Sequence, residues 1–158
     1  MEELKKLNLR SCLQCGTCTS TCPSGRYTNL NTRRIIYSAL NNNQNILQDK
    51  DLWLCSTCYK CQDQCPRGIQ ITDSIFEIRC IAVKHGFIQE SHKRVAYNVL
   101  QTGHAVPITK EVEEQRKNLG LEELPNTTHK YPDALEEVKK LLKCTGFEKL
   151  VKSLPIAD

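Results

Sequence analysis

Eight of the ten cysteines fall in two runs of identical spacing. Cys12, Cys15, Cys18 and Cys22 are separated by two, two and three residues and followed by Pro23; Cys55, Cys58, Cys61 and Cys65 repeat that spacing and are followed by Pro66. Three thiolates two residues apart lie on one tight loop and can cap three corners of an iron-sulfur cubane. The fourth, three residues on and stopped by proline, is aimed elsewhere. This is the ligand pattern of a two-cluster iron-sulfur protein, and in the bacterial arrangement the fourth cysteine of a run ligates the other cluster. Carried onto this chain, Cys12, Cys15, Cys18 and Cys65 hold one 4Fe-4S cluster, and Cys22, Cys55, Cys58 and Cys61 hold the second. A mononuclear zinc site would use four ligands in two pairs, and a disulfide framework suits a small secreted chain. Neither accounts for a triple spacing that ends on Cys-Pro twice.

The formal charge of +4 invites a nucleic-acid reading until the cofactors are counted. The whole surplus lies in residues 1–86, with 11 Lys plus Arg against 7 Asp plus Glu; from residue 87 on the two signs balance at 11 each. Eight thiolates and two oxidised cubanes of about +2 each add roughly −4. Arg10, Arg26, Lys60 and Arg67, which stand beside the cysteines, therefore read as charge compensation that eases reduction, and no nucleic-acid partner is expected. Met1 to Arg10 is charged and lacks an apolar run, and no stretch approaches the length of a membrane span. A soluble protein of a reducing compartment, the cytoplasm, is the expectation, with metal binding coupled to folding.

The elements that must carry the two runs are helical. Asn31 or Thr32 caps a helix whose Ile35, Ile36, Ala39 and Leu40 share one face. The polar run Asn41–Asn45 reads as a loop, and a short helix or turn from Ile46 to Trp53 leads into the second run, with Trp53 and Leu54 placed to shield a cluster from water. Ser74 to Glu77 has a capping-box pattern and opens a helix that ends at Gly86, with Ile75, Ile78 and Ala82 in one stripe and Phe76, Cys80 and Val83 in another. Cys80 then reads as a buried core thiol, and so does Cys144. Thirty-two residues separate Cys22 from Cys55, with helical periodicity where a small ferredoxin would carry a β-rich connection. The predicted fold is all-α: an α-helical ferredoxin-like module over residues 1–104 and a C-terminal helical arm over 105–158.

Within the arm, apolar periodicity predicts helices around Val112 and Leu119, from Pro132 through Leu142, and from Phe147 to Leu154, the last stopped by Pro155; Val95 to Leu100 mark one that ends at Gly103. Short helices and a polar linker offer little core, so the arm is expected to contact a partner, with self-packing as the alternative. His85, His92, His104 and His129 read as surface or helix-end residues. No catalytic constellation stands out, and no substrate site is expected on the chain itself.

The doubled cysteine run, Arg33-Arg34-Ile35-Ile36, Leu52-Trp53-Leu54-Cys55 and the Ile78-Arg79 to Gly86 helix together resemble the C subunit of heterodisulfide reductase from methanogenic archaea, over roughly residues 8–105. The resemblance implies a cytoplasmic electron-transfer subunit in methanogenesis. It would relay electrons from the flavin-containing A subunit to the catalytic B subunit, which reduces the mixed disulfide of coenzyme M and coenzyme B. It further implies flavin-based electron bifurcation in a larger complex with a nickel-iron hydrogenase or a formate dehydrogenase. The absence of Cys-Cys-Gly motifs fits the C role and not the B role. A relay subunit of another sulfur-metabolising or disulfide reductase, a freestanding electron carrier, and a protein using its clusters only as structural pegs stay open beside it. An iron-sulfur subunit of the succinate dehydrogenase type would need a 2Fe-2S domain ahead of Cys12.

Overall fold

The structure, a computed structural model, describes residues 3–106 and 108–154. Its regular elements are all helical among the described residues: α1 (Thr17–Ser20), α2 (Thr32–Leu40), α3 (Lys60–Asp63), α4 (Ile71–Lys84), α5 (Glu90–Thr102), α6 (Lys110–Asn118), α7 (Pro132–Cys144) and α8 (Phe147–Ser153), with short 3-10 turns between the early ones. They form two compact units, Met1–Phe87 and Ile88–Asp158. None of these helices is long and apolar enough to cross a membrane.

In the first unit, α2 begins where the Asn31 side chain accepts the Arg34 backbone N–H at 3.0 Å, satisfying one of the free donors of the first turn. Its Ile35, Ile36 and Ala39 face is buried against α4, whose Ile71, Ile75, Ile78 and Ala82 are buried in turn. Leu4, Leu7, Leu9, Leu30, Ile46, Leu47, Leu52 and Ile69 complete the core. Burying side chains of this size stabilises by about 1.5–3 kcal/mol each. The same core takes in Cys22 and Cys61, while Cys12, Cys18, Cys55 and Cys65 pack against it half-buried. Each cysteine run thus rests on a hydrophobic floor built by α2 and α4.

The short helix or turn expected over 46–53 forms as two consecutive 3-10 turns, Gln44–Gln48 and Lys50–Leu54, the second capped by the Asp49 side chain. Two expectations change. Helix α4 starts at Ile71, so Ser74 is no cap; its hydroxyl donates to the Gln70 carbonyl at 2.7 Å from inside the helix. Cys80 and Cys144 are exposed. On α4 the buried face is the isoleucine stripe alone, and the Phe76–Cys80 stripe faces outward, with Phe76 42% exposed. Periodicity places a residue on a stripe, and it does not say which of two apolar stripes meets the core.

The second unit packs α5 and α7 against each other and both against α8. Helix α5 stops at Gly103 and α7 opens on Pro132 at its first position, as the fixed φ of proline favours. Burial is thin: Lys93, Leu100, Val151 and Leu154 are buried, and α6 and α7 bury no residue fully. Helix α5, expected with the cluster half, lies in this unit. Pro155 lies outside the described residues.

Here the histidines interact. The rings of His104 and His129 lie 5.2 Å apart, and His129 Nε2 is buried with no hydrogen-bond partner. Burial first, then the charge of His104, holds the His129 pKa below its ordinary value. The folded unit therefore favours neutral His129, and the stability this contributes is full above about pH 6.5, the unfolded value, and is lost as pH falls. Lowering the pH from 7.5 to 5.5 should speed amide exchange of residues 103–131, after correction for intrinsic rates, and His129→Gln should remove that acid dependence; equal acceleration in both proteins counts against it.

Candidate metal centre

Each cysteine run wraps in the same way. Gln14 and Gly16, on either side of Cys15, have φ of 54° and 86°; Thr57 and Tyr59, on either side of Cys58, have 56° and 62°. Left-handed residues interleaved this way turn main-chain N–H groups toward one side, the geometry of anion-binding loops around phosphate and iron-sulfur groups. Gly16 adopts it freely, whereas Gln14, Thr57 and Tyr59 each carry roughly 1–2 kcal/mol of strain. After each wrap comes a single helical turn, α1 carrying Cys18 and α3 carrying Cys61, and these two turns pack against each other.

Two cavities result. Cys12, Cys15, Cys18 and Cys65 line the first, with Ile36, Ile69 and Ile71 behind them and Arg33 and Arg67 at the rim; it encloses about 400 Å³ including its open mouth. Cys22, Cys55, Cys58 and Cys61 line the second, about 270 Å³ on the same measure, with Thr32, Tyr59 and Thr72. Among the described residues no three His, Cys, Asp or Glu side chains converge as a single bound ion requires. A tetrahedral zinc with sulfurs at about 2.3 Å would draw its ligands to one point. Four sulfurs spread around a walled space, on loops shaped for an anion, instead fit an inorganic cube of iron and sulfide.

The sulfurs of Cys12, Cys15, Cys22 and Cys61 have hydrogen-bond partners. The amide of Gln14 donates to Cys12 Sγ at 3.2 Å, Thr17 Oγ1 lies 3.3 Å from Cys15 Sγ, and Thr72 Oγ1 lies 3.6 Å from Cys61 Sγ. The Gly25 N–H donates to Cys22 Sγ at 3.3 Å. A Cβ on Gly25 would meet the Leu30 carbonyl at 2.8 Å, so this donor depends on glycine. Such bonds hold ligands in place and stabilise charge on sulfur.

Exposure and charge sort the cysteines into outer and inner ones. Cys15 and Cys58 are exposed, whereas Cys18 and Cys61 lie deeper. Burial above all pushes the Cys18 thiol up to about 11; Thr19 opposes this, and negative charge on Cys61 and then on Cys12 adds to it. Burial likewise raises Cys61, against Thr72, with smaller contributions from Cys55, Cys22 and Cys58. The two four-sulfur groups therefore approach each other through Cys18 and Cys61.

The supports come from outside the runs. Arg34 Nη2 bonds Asp49 at 2.9 Å and Asp51 at 2.8 Å, anchoring the turn ahead of Cys55 to α2. Gln62 donates to Asp73 at 3.0 Å and accepts the Thr72 N–H at 3.0 Å, and the Tyr59 hydroxyl donates to Asp73 at 3.1 Å, tying α3 to α4. Arg79 donates to the carbonyls of Leu52 and Cys55. Trp53 and Leu54 line neither cavity; Trp53 packs on the core, with the Arg79 guanidinium 5.5 Å from its ring centroid. Of the basic residues singled out by position, Arg67 reaches a cavity rim; Arg33, 11 residues beyond Cys22, is the other rim cation. The contacts that Arg33, Arg79 and Gly25 make at the site are not legible in the sequence, because nothing in local spacing reports a long-range contact.

The family described as a 4Fe-4S dicluster domain matches residues 8–69. The C subunit of the ferredoxin:CoB-CoM heterodisulfide reductase of Methanosarcina mazei is 54% identical over 144 residues, 91% of this chain and 89% of its own. The C subunit of the ferredoxin/F(420)H(2)-dependent CoB-CoM heterodisulfide reductase of Methanosarcina acetivorans is 52% identical over 156 residues, 95% and 97% of the two chains. The C subunit of the H(2):CoB-CoM heterodisulfide,ferredoxin reductase of Methanothermobacter marburgensis is 49% identical over 145 residues, 91% and 78%. Two 4Fe-4S clusters are accordingly the cofactors of this chain.

Proposed function

We propose, from the premise that this chain belongs to the family of heterodisulfide reductase C subunits, that it is the electron relay of such a complex. It takes electrons from a flavin-containing A subunit and delivers them to a catalytic B subunit that reduces the coenzyme M–coenzyme B heterodisulfide. In this reading Cys12, Cys15, Cys18 and Cys65 hold one cluster and Cys22, Cys55, Cys58 and Cys61 the other. Each cluster, when bound, supplies a one-electron couple.

The observation that carries the reading is the sorting of eight sulfurs into two groups of four with an outer and an inner side. Cys15 and Cys58, exposed, face where a donor or acceptor protein can approach. Cys18 and Cys61, on the packed turns α1 and α3, bring the groups together where water is excluded. The hydrogen bonds from Gln14, Thr17, Gly25 and Thr72 stabilise charge on sulfur as an electron arrives. The chain's role is to carry electrons, with the disulfide chemistry on the catalytic partner, and the work takes place in the cytoplasm.

The second unit fits a surface for partner subunits. Its helices bury few side chains, and Leu119, Leu121 and Leu141 are half exposed or more. The electron source differs among the relatives, whose names give ferredoxin, F(420)H(2) or H(2); a hydrogenase or formate dehydrogenase partner is one form of that input.

Anaerobic affinity purification of the chain from its native host tests this. A flavoprotein and a second iron-sulfur protein should co-purify, and in the complex both clusters of this chain, reduced by dithionite, should reoxidise on adding the heterodisulfide. Isolation of the chain without a flavoprotein, or clusters that stay reduced, would overturn the relay.

A further inference from the structure

We propose that Arg79 is a positioning residue that raises the reduction potential of the centre formed by Cys22, Cys55, Cys58 and Cys61, through its charge and its grip on the Cys55 main chain. The inference rests on the ligand grouping above. Arg79 Nε and Nη2 donate to the Leu52 carbonyl at 3.1 and 2.9 Å, and Nη2 also donates to the Cys55 carbonyl at 2.8 Å. The planar guanidinium reaches both acceptors at once, which an ammonium cannot do in the same way. Trp53 and Phe76 flank it, their ring centroids 5.5 and 6.0 Å from Cζ. It is half-buried.

The charge is otherwise uncompensated. No carboxylate pairs with Arg79 among the described residues, and Cys55, whose carbonyl it holds, lines the second cavity. Arg34, by contrast, sits on Asp49 and Asp51. A half-buried cation without a carboxylate costs desolvation energy, which is offset where an anionic group faces it. A cluster on four thiolates is anionic and gains a further negative charge on reduction. Arg79 therefore favours the reduced state of the second centre, and the two rings keep water from screening that effect. The first centre has its arginines, Arg33 and Arg67, on an exposed rim, where solvent weakens them.

The test is an EPR-monitored potentiometric titration of the anaerobic holoprotein. Cys15→Ser and Cys58→Ser first identify which couple belongs to which centre; if both variants disturb the same couple, the ligand grouping fails and not the role of Arg79. Arg79→Gln should lower the reduction equilibrium of the Cys58-sensitive couple about tenfold, 59 mV for one electron, and leave the Cys15-sensitive couple in place. Arg79→Lys should restore more than half of the shift, because the charge returns. Should Arg79→Gln fail to load the second centre, Phe76→Glu supplies the test. It sets a carboxylate against the guanidinium from an exposed position while the carbonyl bonds stay, and it should lower the same couple alone. Unchanged potentials in the loaded variants, an equal shift of both couples, or a lysine variant as low as glutamine would overturn the proposal.

Discussion

Removing the iron with a chelator under anaerobic conditions should cost the Met1–Phe87 unit most of its fixed tertiary structure. In the proposed ligand set one cluster joins residue 12 to residue 65 and the other joins residue 22 to residue 55. A cross-link that closes a loop of about fifty residues withdraws about 4 kcal/mol of chain entropy from the unfolded state. The second, nested link adds less than its own full value. A domain's net stability is about 5–15 kcal/mol, so the links are comparable with the whole. Strain points the same way. Gln14, Thr57 and Tyr59 are held left-handed, and α1 and α3 are four residues each, too short to persist unaided. Trp53, the sole tryptophan, reports the change: its emission should shift to the red, and the amides of Ile35, Ile75 and Ile78 should lose protection. An iron-free protein that keeps that protection would show that the isoleucine core of α2 and α4 stands without the metal.

Much of this arrangement could be read from the chain, because cysteine spacing and proline report the chemistry locally. The two runs, the capping Asn31, the isoleucine face of α2 and the Gly103 stop are all decided within a few residues. The failures share the opposite property. Cys80 and Ile78 lie on the same helix with similar polarity, and which stripe meets the core depends on α2, some forty residues earlier. Ser74 satisfies a capping pattern, yet the helix begins three residues before it at Ile71, over the wall of the first cavity. Arg79 is an ordinary surface-type residue in sequence; its contacts with Leu52 and Cys55 span 27 and 24 positions. The function of Gly25, letting a main-chain N–H reach Cys22, depends on where Leu30 packs. Local chemistry was legible in the residues, while the second layer that positions it required the tertiary packing.

Replacing Cys22 by alanine should remove the cluster that the other run mainly holds, although Cys22 belongs to the first run. The side chain is buried and lines the cavity of Cys55, Cys58 and Cys61. Pro23 and the 3-10 turn Ser24–Arg26 that follows hold it there through the Gly25 N–H. Loss of one of four thiolates opens the cube at a buried corner, and the two cysteines outside the runs, Cys80 and Cys144, line neither cavity and cannot replace it. Iron should fall from about eight to about four per chain, and the dithionite-reduced EPR signal that Cys58→Ala also removes should disappear. Cys65→Ala should do the reverse, taking the signal that Cys15→Ala removes. Each exchange is all-or-none at its own centre, so the pair of variants separates crossed from uncrossed ligation without a quantitative fit. If Cys22→Ala abolishes the Cys15-dependent signal and spares the other, each run keeps its own fourth ligand, and the links from 12 to 65 and from 22 to 55 do not exist.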